Sequence, residues 1–248
     1  MSGVFSNYAR YYDALYQDKD YAAEAEYFAG LVRRYEKEPS RTLLEFGAGS
    51  GGHQRELMPL GFDPVGVELS DDMCGIATKR GSRVVVGDLR TYSHERTFDT
   101  VMALFHVVSY LTTDDDIGAG FTNARRHLEP GGLFVFDVWH EDAVVSQQPD
   151  TRVKRITTNE LDIVRIAEPT WAPEQKTVLV KYTIFAKQPG DTLWENMAES
   201  HLMRYFSVQD LHACAERNGF DVLTIEETLT GAPVSENSWG ISAVLQAI

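Results

Sequence analysis

Two rhythms of apolar and polar residues run along this chain. Between Tyr21 and Tyr35 the positions Tyr21, Ala25, Phe28, Ala29, Leu31, Val32 and Tyr35 repeat with a helical period, which stops at Lys37-Glu38-Pro39. An apolar strand over 42–46 follows, then a helix from about 51 to 60 that ends before Gly61. The run from Pro64 to Glu68 reads as a second strand, and Ser70-Asp71-Asp72 supplies an N-cap and first-turn acids for a helix over 71–80. Strands over 83–86 and 98–105 come next. A helix over about 114–128 ends at Glu129-Pro130-Gly131-Gly132, a turn before a strand over 133–138. Strands separated by helices imply right-handed crossovers and a parallel sheet.

The rhythm changes after Trp139. Val178, Val180, Tyr182 and Ile184 alternate with Lys181 and Thr183, Gln188-Pro189-Gly190-Asp191 is a turn signal, and Ile163–Ile166 and His201–Tyr205 read as neighbouring strands. Helical spacing returns over 207–218, with Ser207 as N-cap and Asn218-Gly219 at the C-terminus, before strands over 220–226 and 239–245. The pattern therefore predicts an α/β fold, a doubly wound, seven-stranded, mostly parallel sheet with a small inserted antiparallel sheet. It divides into an N-terminal segment and first helix (1–38), a core (39–140), an inserted sheet (141–206) and the C-terminal part of the core (207–248); the family resemblance given below implies that the first segment is a lid and that the inserted sheet serves the substrate.

The 248 residues carry a net charge of −14, and so acidic a surface repels polyanions, which argues against DNA or RNA as a partner. No apolar run is long enough to span a bilayer, and the first residues lack a basic segment followed by an apolar one. The two cysteines, Cys74 and Cys214, fall inside helical patterns and fit a reducing cytosol, so a cytoplasmic protein is expected. No cluster of ligands suggests a metal. A homodimer is compatible with all of this.

The chemistry concentrates in Leu43-Leu44-Glu45-Phe46-Gly47-Ala48-Gly49-Ser50-Gly51. A strand that runs into alternating glycines lets the chain turn sharply and a ligand approach its amides. Glu68, at the end of the next strand, is placed to accept both hydroxyls of an adenosine ribose. The loop also satisfies the dinucleotide G-x-G-x-x-G template, which alone is weak support for NAD. Against that reading, Glu45 would repel a pyrophosphate but suits an ammonium. Gly87-Asp88-Leu89 puts an acid and an amide beside an adenine, and the chain lacks a second mononucleotide half.

Together these residues resemble a class I S-adenosylmethionine-dependent methyltransferase, over residues 40–138 and the last forty. Glu45–Gly51 matches the family's glycine loop, Glu68 its ribose acid, Gly87-Asp88 its adenine-side acid, and Leu128–Gly132 the turn before its fifth strand. The resemblance implies S-adenosyl-L-methionine as cofactor, held by Tyr16, Tyr21, Glu45, Gly47, Ala48, Gly49, Glu68, Leu69, Met73, Asp88, Leu89 and Leu104. The segments Tyr11–Tyr16, Asp18–Glu24, Val67–Met73, Phe105–Leu111 and Glu199–His201 are similar to bacterial N-methyltransferases of nucleotide-linked amino sugars. On that likeness Tyr12 and Tyr110 face the acceptor amine, and Tyr16 and Tyr21 close over the cofactor. His106 is the expected general base, with Tyr12 and Tyr110 orienting the acceptor. Trp139, His140, Arg152, Arg155, His201 and Arg204 are the expected substrate contacts, the arginines for a diphosphate. The chain departs from that group in carrying His106-Val107 where small polar residues are usual, and Asp137-Val138-Trp139-His140 where glutamate-proline-tryptophan is usual. A small-molecule O-methyltransferase, a cofactor-binding regulator without turnover and an NAD oxidoreductase remain alternative readings.

Overall fold

A computed structural model describes residues 9–39 and 41–248; residues 1–8 of the expected lid and Ser40 lie outside the described residues. Helices α1 (Ala9–Leu15) and α2 (Tyr21–Tyr35) lead into β1 (Thr42–Phe46), α3 (Gly52–Leu57), β2 (Asp63–Glu68), α4 (Asp71–Lys79), β3 (Val84–Val86), β4 (Phe98–Ala103), α5 (Asp114–Arg126) and β5 (Leu128–His140). Helix α6 (Glu141–Gln147) precedes β6 (Arg152–Thr157), β7 (Asp162–Ala172), β8 (Thr177–Lys187) and β9 (Glu195–Phe206). The chain closes with α7 (Val208–Arg217), β10 (Phe220–Glu227) and β11 (Gly240–Ala247).

The strands β3-β2-β1-β4-β5 lie in that order and are parallel, while β11 runs antiparallel between β5 and β10. This is the seven-stranded sheet that the sequence implies. Ser70 and Thr113 cap α4 and α5 by accepting from the amides of Met73 and Asp116, and Ser207 forms a capping box with Asp210. Asp99, which the sequence marked only as the start of a strand, accepts from the amides of Arg41 and Thr42 at 2.9 and 2.8 Å and so fixes where β1 begins.

One face of the sheet buries Phe121, Phe134, Phe136 and Phe220 beneath α5 and α7. The other buries Leu43, Met102, Leu133 and Val135 beneath Phe28 and Val32 of α2. Each large side chain buried there contributes roughly 1.5–3 kcal/mol. The expected turn at 129–132 is instead part of β5. Leu128 already pairs with Phe98, and a bulge with Gly131 at φ +83° restores pairing at Leu133.

Strands β6–β9 pair antiparallel in sequence order. Tyr205-Phe206 of β9 also pairs, in parallel, with Trp139-His140 of β5. Because β11 holds the other edge of β5 as far as Trp139, β9 must occupy the edge that β4 leaves when it ends at Ala103. The inserted sheet therefore rises from the carboxyl end of the core sheet, where open α/β folds bind ligands. Tyr11 and Leu15 of α1 pack on Ile156, Ile163, Ile184 and Ala186 of that sheet.

Candidate active site

The glycine loop turns as its composition requires. Gly47 and Gly49 sit at φ +66° and +54°, where a side chain is strained. A Cβ on Gly47 would collide with Val107, whereas a Cβ on Gly49 would meet nothing within 4 Å, so the open side of the loop lies at Gly49. The amides of Gly47 and Ala48 donate to Val67 O at 2.8 and 3.2 Å, which ties the loop to β2. Glu68 is buried, and its two carboxylate oxygens accept from the amides of Gly49 and Ser70, both at 2.9 Å. Burial raises its pKa against the pull of those amides. The Leu69 amide also bonds this carboxylate, whose roughly four acceptor positions still leave capacity for a ribose hydroxyl.

Leu69 beside it is exposed and Met73 is buried, while Leu89 packs with the core under α5. Asp88 is already engaged: Arg90 Nε lies 2.9 Å from its Oδ1, and this pairing holds the carboxyl below its ordinary pKa. Leu104 packs with the apolar cluster beneath α2.

A chain of charges lies under the end of β1. Glu45 is 1% exposed, its Oε1 is 3.5 Å from His53 Nδ1, and its Oε2 has no hydrogen-bond partner among the described residues. His53 Nε2 lies 2.9 Å from Glu24 Oε2, and Glu24 in turn bonds Lys19. Burial lowers the pKa of His53, but the two carboxylates outweigh it and the net shift is upward. Tyr21 lies edge-on to His53 at 5.0 Å, against Gly52, and burial pushes its pKa up to about 12. Lys19, Glu24 and His53 were not singled out in the sequence.

Aromatic side chains from α1, the loop after β4, β5 and the inserted sheet form a second, continuous series of contacts. Tyr12 and Tyr16 lie 4.7 Å apart, Tyr16 meets Phe105 at 5.4 Å, Phe105 stacks on His106 at 5.7 Å, and His106 meets Trp139 at 6.0 Å. Phe105 and His106 are both left-handed, at φ +65° and +62°, and their amides donate to Asp137 at 2.7 and 3.1 Å. Asp137 thus holds a strained turn and also approaches His106 Nδ1 at 2.7 Å. Burial pushes the Asp137 carboxyl up, but His106 and the two amides outweigh that and keep it below its ordinary range. The sequence listed Asp137 only as a departure from the sugar N-methyltransferases.

Tyr110 is bonded to His201 Nδ1 at 2.7 Å, and Tyr182 lies edge-on to the imidazole at 5.0 Å. Arg165, another residue not foreseen, spans Tyr16 and Tyr182, with its guanidinium carbon 5.7 and 5.1 Å from their ring centres. Burial, with the nearby Arg165 charge, lowers the His201 pKa to about 4, so the ring is neutral; with its proton on Nε2, which faces Glu199 Oε1 at 3.6 Å, Nδ1 accepts a hydrogen bond from the Tyr110 hydroxyl. Burial likewise drives the Tyr110 pKa well up.

The His201 shift has a sign that can be tested. The unfolded chain takes up the proton near pH 6.5 and the folded chain only near 4, so stability is complete above pH 6.5 and falls as the pH drops towards 4. At 1.36 kcal/mol per pH unit, this one group accounts for about 3 kcal/mol. Urea unfolding between pH 7 and 4.5 should show a shallower loss in His201→Gln than in the native chain. Equal slopes would show that the imidazole is not buried neutral.

Four expected substrate residues are not gathered here. His140, next to Trp139 on β5, points to the opposite face, and its Nδ1 lies 3.2 Å from Ser238 O. Arg152 and Arg155 stand on opposite faces of β6 and both are exposed, while Lys154 between them bonds Leu15 O and Asp18. Arg204 pairs with Asp114 at 2.8 Å.

With this geometry in view, a family model described as a methyltransferase domain matches residues 16–225. The chain belongs to that family. It is an S-adenosylmethionine-dependent methyltransferase. Among curated relatives, a dTDP-3-amino-3,4,6-trideoxy-alpha-D-glucopyranose N,N-dimethyltransferase of Streptomyces venezuelae is 39% identical over 137 residues, which span 54% of this chain and 57% of that protein. A dTDP-4-amino-2,3,4,6-tetradeoxy-D-glucose N,N-dimethyltransferase of Saccharopolyspora spinosa is 29% identical over 243 residues, 94% of this chain and 91% of that one. The crystal structure of Streptomyces venezuelae DesVI superposes with a TM-score of 0.80 at 27% identity, covering 95% of this methyltransferase and 97% of DesVI.

The residues present fit S-adenosylmethionine. The buried Glu45 Oε2 lacks a donor among the described residues, and the methionine ammonium can supply one. The loop is open beside Gly49, and Glu68 has capacity for a ribose hydroxyl. A pyrophosphate would meet only negative charge at Glu45.

Proposed function

We propose that this methyltransferase acts on the amino group of a nucleotide-linked deoxyamino sugar. The observation that carries the reading is the pairing of His106 with buried Asp137 among aromatic rings. S-adenosylmethionine supplies a methyl group on an electrophilic sulfonium. The protein's part is then to align the acceptor, exclude water and leave its nitrogen lone pair free, and alignment alone can be worth on the order of 7–11 kcal/mol. An amine arrives as an ammonium and must lose a proton before it attacks. His106 retains 23% of its side-chain surface, so it can take that proton and pass it to water, while Asp137 stabilises the imidazolium. The Tyr110 hydroxyl, held by its bond to His201, is the group that would orient the acceptor nitrogen. Tyr16, Phe105 and Trp139 offer apolar faces to a deoxy sugar.

The names of the two relatives support an amine on a dTDP-linked sugar. Arg165 suits the diphosphate better than Arg152 and Arg155, since it lies among these aromatics and they do not. The pairing of His106 with Asp137 would also serve a hydroxyl, so O-methylation is the second reading. The deciding experiment offers labelled cofactor with a dTDP-linked 3- or 4-amino deoxysugar and with its hydroxyl counterpart. Label is expected on the amine alone, and label on the hydroxyl alone, or on neither sugar, overturns the reading. Arg165→Ala should raise KM for the amino sugar by about tenfold or more, the loss of one charge-assisted contact. Replacing Arg152 and Arg155 together should change it less than about twofold, since exposed charges contribute little.

A further inference from the structure

We propose that Lys19 receives the α-carboxylate of the methionine moiety of S-adenosylmethionine, as the counterpart of Glu45, which receives its α-ammonium. Lys19 belongs to the short link between α1 and α2, yet its side chain is only 6% exposed. Its backbone is held at both ends: its amide donates to Tyr16 O at 3.0 Å, and its carbonyl accepts from Tyr21 N at 3.1 Å. The ammonium bonds Glu24 and lies 3.7 Å from the centre of the Phe105 ring and 4.9 Å from that of Tyr21. It therefore sits between the charge chain that ends at Glu45 and Phe105 in the turn after β4, within reach of an amino-acid group whose ammonium lies at Glu45.

The electrostatics favour a ligand over a purely structural pair. Glu24 is shared, because His53 also binds it at 2.9 Å, and the burial penalty on Lys19 outweighs its attraction to Glu24 and Asp137, so its pKa stays below the ordinary value. One carboxylate, Glu24, thus serves two buried nitrogen bases, Lys19 through both its oxygens and His53 through one, and Glu45 Oε2, joined to them through His53, has no donor among the described residues. An α-amino acid brings a carboxylate for Lys19 and an ammonium for Glu45. The cofactor's zwitterion is the complement of this arrangement, and charge-assisted bonds in so dry a place are strong.

The test uses binding alone, by calorimetry, with S-adenosylhomocysteine and with 5′-methylthioadenosine, which has no amino-acid group. Lys19→Met should weaken S-adenosylhomocysteine by 10- to 100-fold and leave 5′-methylthioadenosine within about twofold, whereas Lys19→Arg should retain most of the affinity. A structural role for Lys19 predicts equal losses for both ligands, and a lysine that merely fills the ammonium's place predicts tighter S-adenosylhomocysteine. Either result, or no change, overturns the proposal. Should Lys19→Met not fold, the native protein gives the answer against decarboxylated S-adenosylhomocysteine, whose propylamine keeps the ammonium and lacks the carboxylate. At least tenfold weaker binding of that amine is expected, and equal binding overturns the assignment.

Discussion

Replacing His106 by alanine should lower kcat for methyl transfer by about 10²- to 10⁴-fold, the range that a positioned general base supplies. Binding of S-adenosylhomocysteine should stay within about twofold, because Glu45, Glu68 and the glycine loop are untouched. The backbone complicates a simple substitution: His106 is left-handed at φ +62°, where alanine is strained. Asparagine tolerates that region, so His106→Asn separates the lost imidazole from the strained turn. Added imidazole should restore part of the rate to the alanine enzyme. A His106→Asn enzyme within threefold of the native kcat would leave alignment as the whole of catalysis. Asp137 is a poorer probe of the same idea, since it also accepts from the amides of Phe105 and His106. Its loss should damage the turn as well as the base.

Glu68→Ala should weaken S-adenosylhomocysteine by about 10-fold or more. A hydrogen bond to a carboxylate, about 1.5–3 kcal/mol, disappears. The same carboxylate accepts from the amides of Gly49 and Ser70, so a loss at the sugar has to be separated from an effect on the loop. Plain adenosine, which keeps the ribose, should suffer a similar loss in calorimetry. A ligand lacking both ribose hydroxyls should bind the native protein and the variant alike, and a difference there would mean that Glu68 acts through the loop and not on the sugar.

The frame of this molecule was readable because its signals are local. Glycines at alternate positions after Leu43–Phe46, the acid ending the next strand, and serine or threonine caps need only neighbours in sequence to be recognised. Side chains that meet across elements were missed. Lys19, Glu24 and His53 come from a link and two helices, and no short-range spacing reveals that they share one charge chain. Arg165 is hidden by its place in an ordinary strand. Arg152 and Arg155 misled for the opposite reason, since closeness in sequence suggested a cluster that the two-residue period of β6 splits between faces. The same alternation separates His140 from Trp139. Pro130-Gly131-Gly132 carries the composition of a turn, yet pairing with β4 absorbs it as a bulge.

The junction of β9 with β5 limits how this enzyme can breathe. Since Tyr205-Phe206 is hydrogen-bonded to Trp139-His140, the inserted sheet is an extension of the core sheet and cannot swing away as a separate jaw. Helix α1 is the covering element that no strand ladder restrains, and its clasps are side-chain bonds such as Lys154–Asp18 and Tyr11–Glu195. Motion of that cover would bend the link between α1 and α2, which carries Lys19.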